Sequence, residues 1–307
     1  TKDFAELLLL DSEHILREEA EQKGKAPIYE IADVVNLMKF WEGVPYHQKI
    51  KTGDLEIEFY DAGHILGSAS VFISGEGKSI VFSGDLGNTP APLIKPTEYL
   101  TKADWALTES VYGARVHEDI GLRKGALEDF IEEIVKSGGV LLIPAFALER
   151  TQELLFELNE LVEGGRIPKV PVFIDSPLAI KLTAVYQKYS HDPAYFNEKS
   201  INLIKGGDAI FNFPGLHMTL TTEESKEINN APAPKVIVAG SGMSHGGRII
   251  HHERRYLSDP KNAIVFIGYQ AHGSLGRRIL EGARAVKILG EEVPVKCKVK
   301  AIGGYSA

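Results

Sequence analysis

The chain has 307 residues, a formal net charge of −8, and 44% hydrophobic against 25% charged residues, which suits one large or two ordinary domains with an ample buried core; the net negative charge argues weakly against nucleic acid as a partner. No apolar run approaches the roughly eighteen residues that a bilayer span needs. The single cysteine, Cys297, excludes an internal disulfide and a thiolate-rich zinc site, leaves His, Asp and Glu as the available metal ligands, and fits a reducing cytoplasm.

In chain order, Asp3 to about Gln22 sets Phe4, Leu7, Leu8, Leu10, Ile15 and Leu16 among acids, the pattern of an amphipathic helix. Glu30–Trp41 reads as a second. The period then drops to two: Leu55, Ile57 and Phe59 alternate with Glu56, Glu58 and Tyr60, a half-buried strand. Val71-Phe72-Ile73, Gly75-Glu76-Gly77 and Ile80-Val81-Phe82 predict a hairpin, and Trp105-Ala106-Leu107 one more strand. After Gly113 helix and strand alternate. Helices are expected at 127–135, 149–162 and from Ser176-Pro177, with Ser as N-cap and Pro at the first helical position, to about Tyr189. Buried strands are expected at 140–143, 172–174, 236–238 and 263–266, with a helix between the last two. This alternation predicts a parallel α/β layer. Residues 286–299 return to strand-like alternation.

Three short motifs carry the chemistry: Asp61-Ala62-Gly63-His64, Ser83-Gly84-Asp85 and Thr108-Glu109-Ser110. Each closes an apolar, strand-like stretch, where a side chain can be held rigidly at a sheet edge. An imidazole and carboxylates presented that way are the parts of a hard-cation or zinc site. Taken singly each has a plainer reading: a surface His in a Gly-rich turn, an Asx-turn at Asp85, a strand-end carboxylate at Glu109. Their matching positions favour ligation. Gly240-Ser241-Gly242-Met243-Ser244-His245-Gly246-Gly247 lies between a strand and a helix, where backbone amides and a helix N-terminus favour an anion; a flexible connector is the alternative. From His245 to Lys300 there are eleven Lys or Arg against five Asp or Glu, which suits a phosphate-bearing ligand, and equally a solvated surface. Arg248, Arg254, Arg255, Arg277 and Arg278 are candidate phosphate contacts. His251-His252 reads as a partly exposed helix face, and Cys297 as an ordinary strand residue.

Asp61-Ala62-Gly63-His64-Ile65-Leu66-Gly67-Ser68, Phe82-Ser83-Gly84-Asp85 and Glu109-Ser110-Val111-Tyr112-Gly113 resemble the metallo-β-lactamase fold and, more narrowly, its β-CASP branch of nucleases. So do the run from Ile143-Pro144-Ala145-Phe146 to Leu155, Asp175-Ser176-Pro177-Leu178-Ala179, and Gly240-Ser241-Gly242-Met243. The similarity covers essentially the whole chain in the family's order. It implies an α/β fold: an incomplete metallo-β-lactamase αββα sandwich with an inserted α/β β-CASP domain. The expected boundaries are 1–113 for the first domain, 114–290 for the insert, and 291–307 for a return into the first. The family pattern also includes a His-x-His-x-Asp-His motif ahead of this segment and histidines beyond it. Neither is in the sequence, so the chain reads as a fragment with about half of a two-zinc centre, expected to bind zinc poorly and to turn over little RNA by itself.

What the resemblance implies for function is a zinc-dependent ribonuclease with RNA as partner, no membrane, a cytoplasmic location, and room for a homodimer. The active site would lie in a cleft between the sandwich and the insert. Two metal ions a few Å apart would supply an in-line water and neutralise charge. Asp85 would be the bridging carboxylate and His64 a ligand to one zinc. Asp61 would orient an imidazole. Glu109 would polarise a histidine that protonates the leaving oxygen. Ser241, Gly242, Met243, Arg150, Gln152 and His272 are the expected substrate contacts, although Arg150 could merely pair with Glu149 or Glu153. A DNA-directed nuclease of the same branch, or a catalytically silent scaffold that binds RNA or a partner, are the rival readings.

Overall fold

The computed structural model describes residues 1–114 and 120–305. Ser306 and Ala307 lie outside the described residues. The chain divides into two compact units: Thr1–Gly113 with Ala184–Asn197, and Ala114–Thr183 with Glu198–Ala307.

In the first unit the helices α1 (Lys2–Gln22) and α2 (Ile31–Met38) lead into five strands, β1 (Ile50–Thr52), β2 (Leu55–Asp61), β3 (Ala69–Gly75), β4 (Lys78–Phe82) and β5 (Trp105–Leu107). They form one sheet in chain order. The expected hairpin is β3–β4, with Ile73 opposite Ile80 and Gly75 opposite Lys78. Its turn residues Glu76 and Gly77 both have positive φ, 50° and 73°, the geometry whose twist matches the flanking strands. Strands β2, β3 and β4 pair antiparallel, and β4 pairs parallel with β5. β2, β4 and β5 therefore run the same way and end at one edge of the sheet. Residues 184–197 complete this unit. Tyr186 is fully buried against Phe4 of α1, ring centroids 5.5 Å apart, and its hydroxyl accepts the N–H of Leu66 at 3.3 Å.

The second unit alternates α3 (Ile120–Ser137), β6 (Val140–Pro144), α4 (Arg150–Glu163), β7 (Val172–Asp175), α5 (Pro177–Tyr189, its last turns in the first unit), α6 (Glu198–Lys205), β8 (Leu216–Met218), α7 (Thr222–Glu227), β9 (Lys235–Ala239), α8 (Ile249–Tyr256), β10 (Ala263–Phe266) and α9 (Leu275–Leu280). The hairpin β11 (Ala285–Ile288) and β12 (Glu291–Pro294) follows, then β13 (Lys298–Ala301). The main sheet has the order β13-β10-β6-β9-β7-β8, and every pair in it is parallel. Strands β6, β7, β9 and β10 are buried along their whole lengths. That is why they read as unbroken apolar runs, since a sheet covered on both faces needs no alternation. Ser176 caps α5 as expected, its Oγ accepting the N–H of Ala179 at 3.3 Å. Lys298–Ala301 adds a parallel edge strand beside β10. Among the described residues no helix is long and apolar enough to cross a membrane.

Candidate functional sites

Each unit carries its candidate residues on loops at the C-terminal ends of strands. In the first, the loops after β2, β4 and β5 are tied to one another through backbone. The N–H of Gly87 donates to the Ala62 carbonyl at 2.9 Å, and the Thr97 hydroxyl bridges the carbonyls of Ala62 and Gly87 at 2.9 and 3.2 Å. A side chain cannot enter here: a Cβ on Gly87 would lie 1.7 Å from the Gly63 carbonyl oxygen. The loop holding His64 thus lies directly against the loop holding Asp85. The β4 and β5 ends are joined by Ser83, whose N–H donates to the Leu107 carbonyl at 2.9 Å and whose Oγ accepts the Glu109 N–H at 3.0 Å.

The three side chains differ in setting. Asp85 is exposed, while His64 is half-buried with its Nδ1 wholly covered. The Oε1 of Glu109 accepts the N–H of Leu86 at 2.8 Å and its Oε2 that of Val111 at 3.3 Å. Glu109 therefore braces the turn that presents Asp85. Asp61 is buried, and its Oδ1 accepts the Gly63 N–H at 2.8 Å. That bond shapes the turn at Gly63, which takes φ 62°. Burial pushes the Asp61 carboxyl up to about 6.

An imidazole and an accessible carboxylate on a shared sheet edge are the donor types a divalent cation takes. Their number does not complete a coordination shell: among the described residues no group of three or more His, Cys, Asp or Glu side chains comes together to hold an ion.

In the second unit, parallel strands bring the ends of β6, β7, β9 and β10 to one edge, where ligands of open α/β sheets bind. The loop of residues 240–247 joins β9 to α8. Its carbonyls are tied from behind. Gly240 accepts the N–H of Ile249 at 3.0 Å, Gly242 accepts Gln270 Nε2 at 2.8 Å, and Met243 accepts the N–H of Gly276 at 3.2 Å. Ser241 Oγ accepts the N–H of His245 at 3.0 Å, and Ser244 donates to the buried carboxyl of Glu253 at 2.5 Å. These bonds fix the backbone of the loop at Gly240, Gly242 and Met243, and Gly242 is itself buried. His272 is exposed on the loop between β10 and α9.

Other expected contacts lie inside the unit. Gln152 is fully buried, and its Nε2 donates to the Ala147 and Ala179 carbonyls and to Thr183 Oγ1, at 3.1, 3.4 and 2.8 Å. It fixes α4 against α5 and presents nothing to solvent. Arg150 pairs with Glu153 at 2.9 Å, the plainer of its two readings. Arg254 and Arg277 pair with Glu291 and Glu281 at 3.3 and 2.7 Å.

Sequence reasoning missed a hub at the end of β7. Asp175 has no solvent exposure and accepts four hydrogen bonds at 2.7 Å, from Thr219 and Arg248 on Oδ1 and from Ser225 and His252 on Oδ2. Burial alone would raise its carboxyl, but the bonds from His252, Ser225, Thr219 and Arg248 outweigh burial and hold it at about 2. Arg248 and His252 are therefore spent on Asp175, and His252 is buried where an exposed face was expected. The signal available was Asp175 itself, an acid closing a fully apolar strand.

Residues 151–279 match the Beta-Casp domain family. The chain is 38% identical over 302 residues to a ribonuclease of Thermus thermophilus, covering 98% of this chain and 68% of that protein. It is 34% identical over 280 residues to an RNase J-like protein of Methanocaldococcus jannaschii, covering 89% and 63%. It is 31% identical over 318 residues to a transcription termination factor, FttA, of Methanosarcina mazei, covering 100% and 49%. The chain thus spans about half to two thirds of the length of these relatives.

Proposed function

This chain belongs to the β-CASP family of metallo-β-lactamase-fold ribonucleases, and from that premise we propose that its protein hydrolyses RNA phosphodiester bonds with the help of bound zinc. The observation that carries the reading is the meeting of the His64, Asp85 and Glu109 loops at one sheet edge, locked by the Gly87–Ala62 and Leu86–Glu109 hydrogen bonds. His64 and Asp85 would be ligands in a two-zinc centre, and the bound ions would supply a water nucleophile near neutral pH. Glu109 keeps the turn at Asp85 in place. The amides of Gly242 and Met243 and the Ser241 hydroxyl would take a phosphate of the RNA, and His272 would stand beside the strand. The reading includes a homodimer, and the single thiol of the sequence, which is buried, supports a cytoplasmic location. The boundaries at 113/114 and 290/291 belong to the same proposal.

The test is metal analysis of the full-length protein together with cleavage of 5′-labelled RNA. Zinc at about two equivalents is expected, with a loss of roughly 100-fold or more in turnover for Asp85→Ala. A wild-type protein that binds RNA and leaves it intact in the presence of zinc would establish the scaffold reading instead.

A further inference from the structure

Phe146, which follows β6, is 38% exposed, yet it is seated as firmly as a core residue. Its carbonyl accepts the Thr151 hydroxyl at 2.7 Å, and the N–H of Ala145 before it donates to Ala239 at 3.0 Å. The Cδ2–Cε2 edge of the ring lies between two glycines. A Cβ on Gly242 would fall 2.8 and 3.0 Å from Cδ2 and Cε2, and one on Gly268 would fall 3.4 and 3.2 Å from the same atoms. Neither glycine has a positive φ, so neither is required by its backbone conformation. The chain after β9 and after β10, the strands on either side of β6, goes without side chains here, and the space left holds a ring whose residue is 38% exposed.

We propose that the exposed part of Phe146 is a stacking platform for a base of single-stranded RNA. The occupant follows from the chemistry at hand. A flat π-face held rigid costs little ordering on binding and accepts any nucleobase. It lies in contact with Gly242 of the 240–247 loop, proposed above to take a phosphate of the RNA. Tyr269, next after Gly268, is a second exposed aromatic on this edge. The proposal rests on the ribonuclease reading and adds a base-binding residue to it.

The test uses full-length protein with its metal removed by EDTA, so that RNA binds without being cut, and a short single-stranded RNA in natural form and with one abasic position moved along it. Phe146→Leu keeps an apolar wedge between the glycines and lacks the π-face; Phe146→Tyr keeps it. Phe146→Leu is expected to bind the natural RNA roughly 5- to 100-fold more weakly, and Phe146→Tyr within about 3-fold of wild type. One abasic position should weaken wild-type binding by a similar factor while leaving Phe146→Leu unaffected, a coupling that a structural role would not produce. Equal affinity of wild type and Phe146→Leu, or additive effects at every abasic position, overturns the platform. In that case cleavage of RNA by the zinc-loaded wild type leaves the ribonuclease reading standing. A wild type that neither binds nor cleaves RNA ends both.

Discussion

Glu253 offers a sharp test of how burial sets charge in this fold. It lies on α8 with no solvent exposure. One carboxyl oxygen accepts the Ser244 hydroxyl, and the other is buried with no hydrogen-bond partner among the described residues. Burial outweighs the Ser244 bond and pushes the carboxyl up to about 8, from 4.5. The nearby titratable group is Cys297, whose buried thiol is itself pushed up to about 11 and stays neutral below that. The folded protein therefore holds a proton on Glu253 that the unfolded chain has released. Because the folded pKa is the higher, this residue's contribution is fully present below pH 4.5 and declines as pH rises to about 8. By then the ionised unfolded state is favoured by on the order of 4 kcal/mol. Glu253→Gln mimics the protonated acid and removes the dependence. In urea unfolding at pH 5, 6.5 and 8, the variant should be within about 1 kcal/mol of wild type at pH 5 and more stable by a few kcal/mol at pH 8. A stability difference that stays constant across the three pH values would refute the reasoning.

Asp175→Asn leaves one acceptor oxygen for donors that now share two, with the Arg248 charge unbalanced beside it. A loss of roughly 3 kcal/mol is expected, seen by calorimetry as a melting temperature lower by about 6–12 °C. Gly87→Ala must push the Asp85 loop away from Gly63. It should cost about 1–3 kcal/mol and lower the zinc content of the full-length protein, measured by elemental analysis, whereas Gly77→Ala, at a turn with open space around it, should leave the metal in place.

Much of this protein was legible in its residues. Alternation from Leu55 to Phe59, the Glu76-Gly77 turn and the apolar runs at 140–143, 236–238 and 263–266 specify strands because pleat and burial act on neighbours in sequence. Acids and an imidazole at strand ends mark the candidate metal residues for the same local reason. The six-residue helices α7 and α9 and the three-residue strands β1 and β8 were not anticipated, being too short to show a period. Nor could periodicity sort the polar residues of α4. Every position from Thr151 to Asn159 is buried, so this helix has no wet face to betray which way Gln152 points. The order of strands, set by pairing between distant segments, was decided only in three dimensions. That pairing carries the β2, β4 and β5 loops to one edge, moves Lys298–Ala301 beside β10, and gathers Thr219, Ser225, Arg248 and His252 around Asp175. A sequence states which groups a protein owns; which of them face each other depends on contacts between residues a hundred positions apart, and those exist only once the sheets have formed.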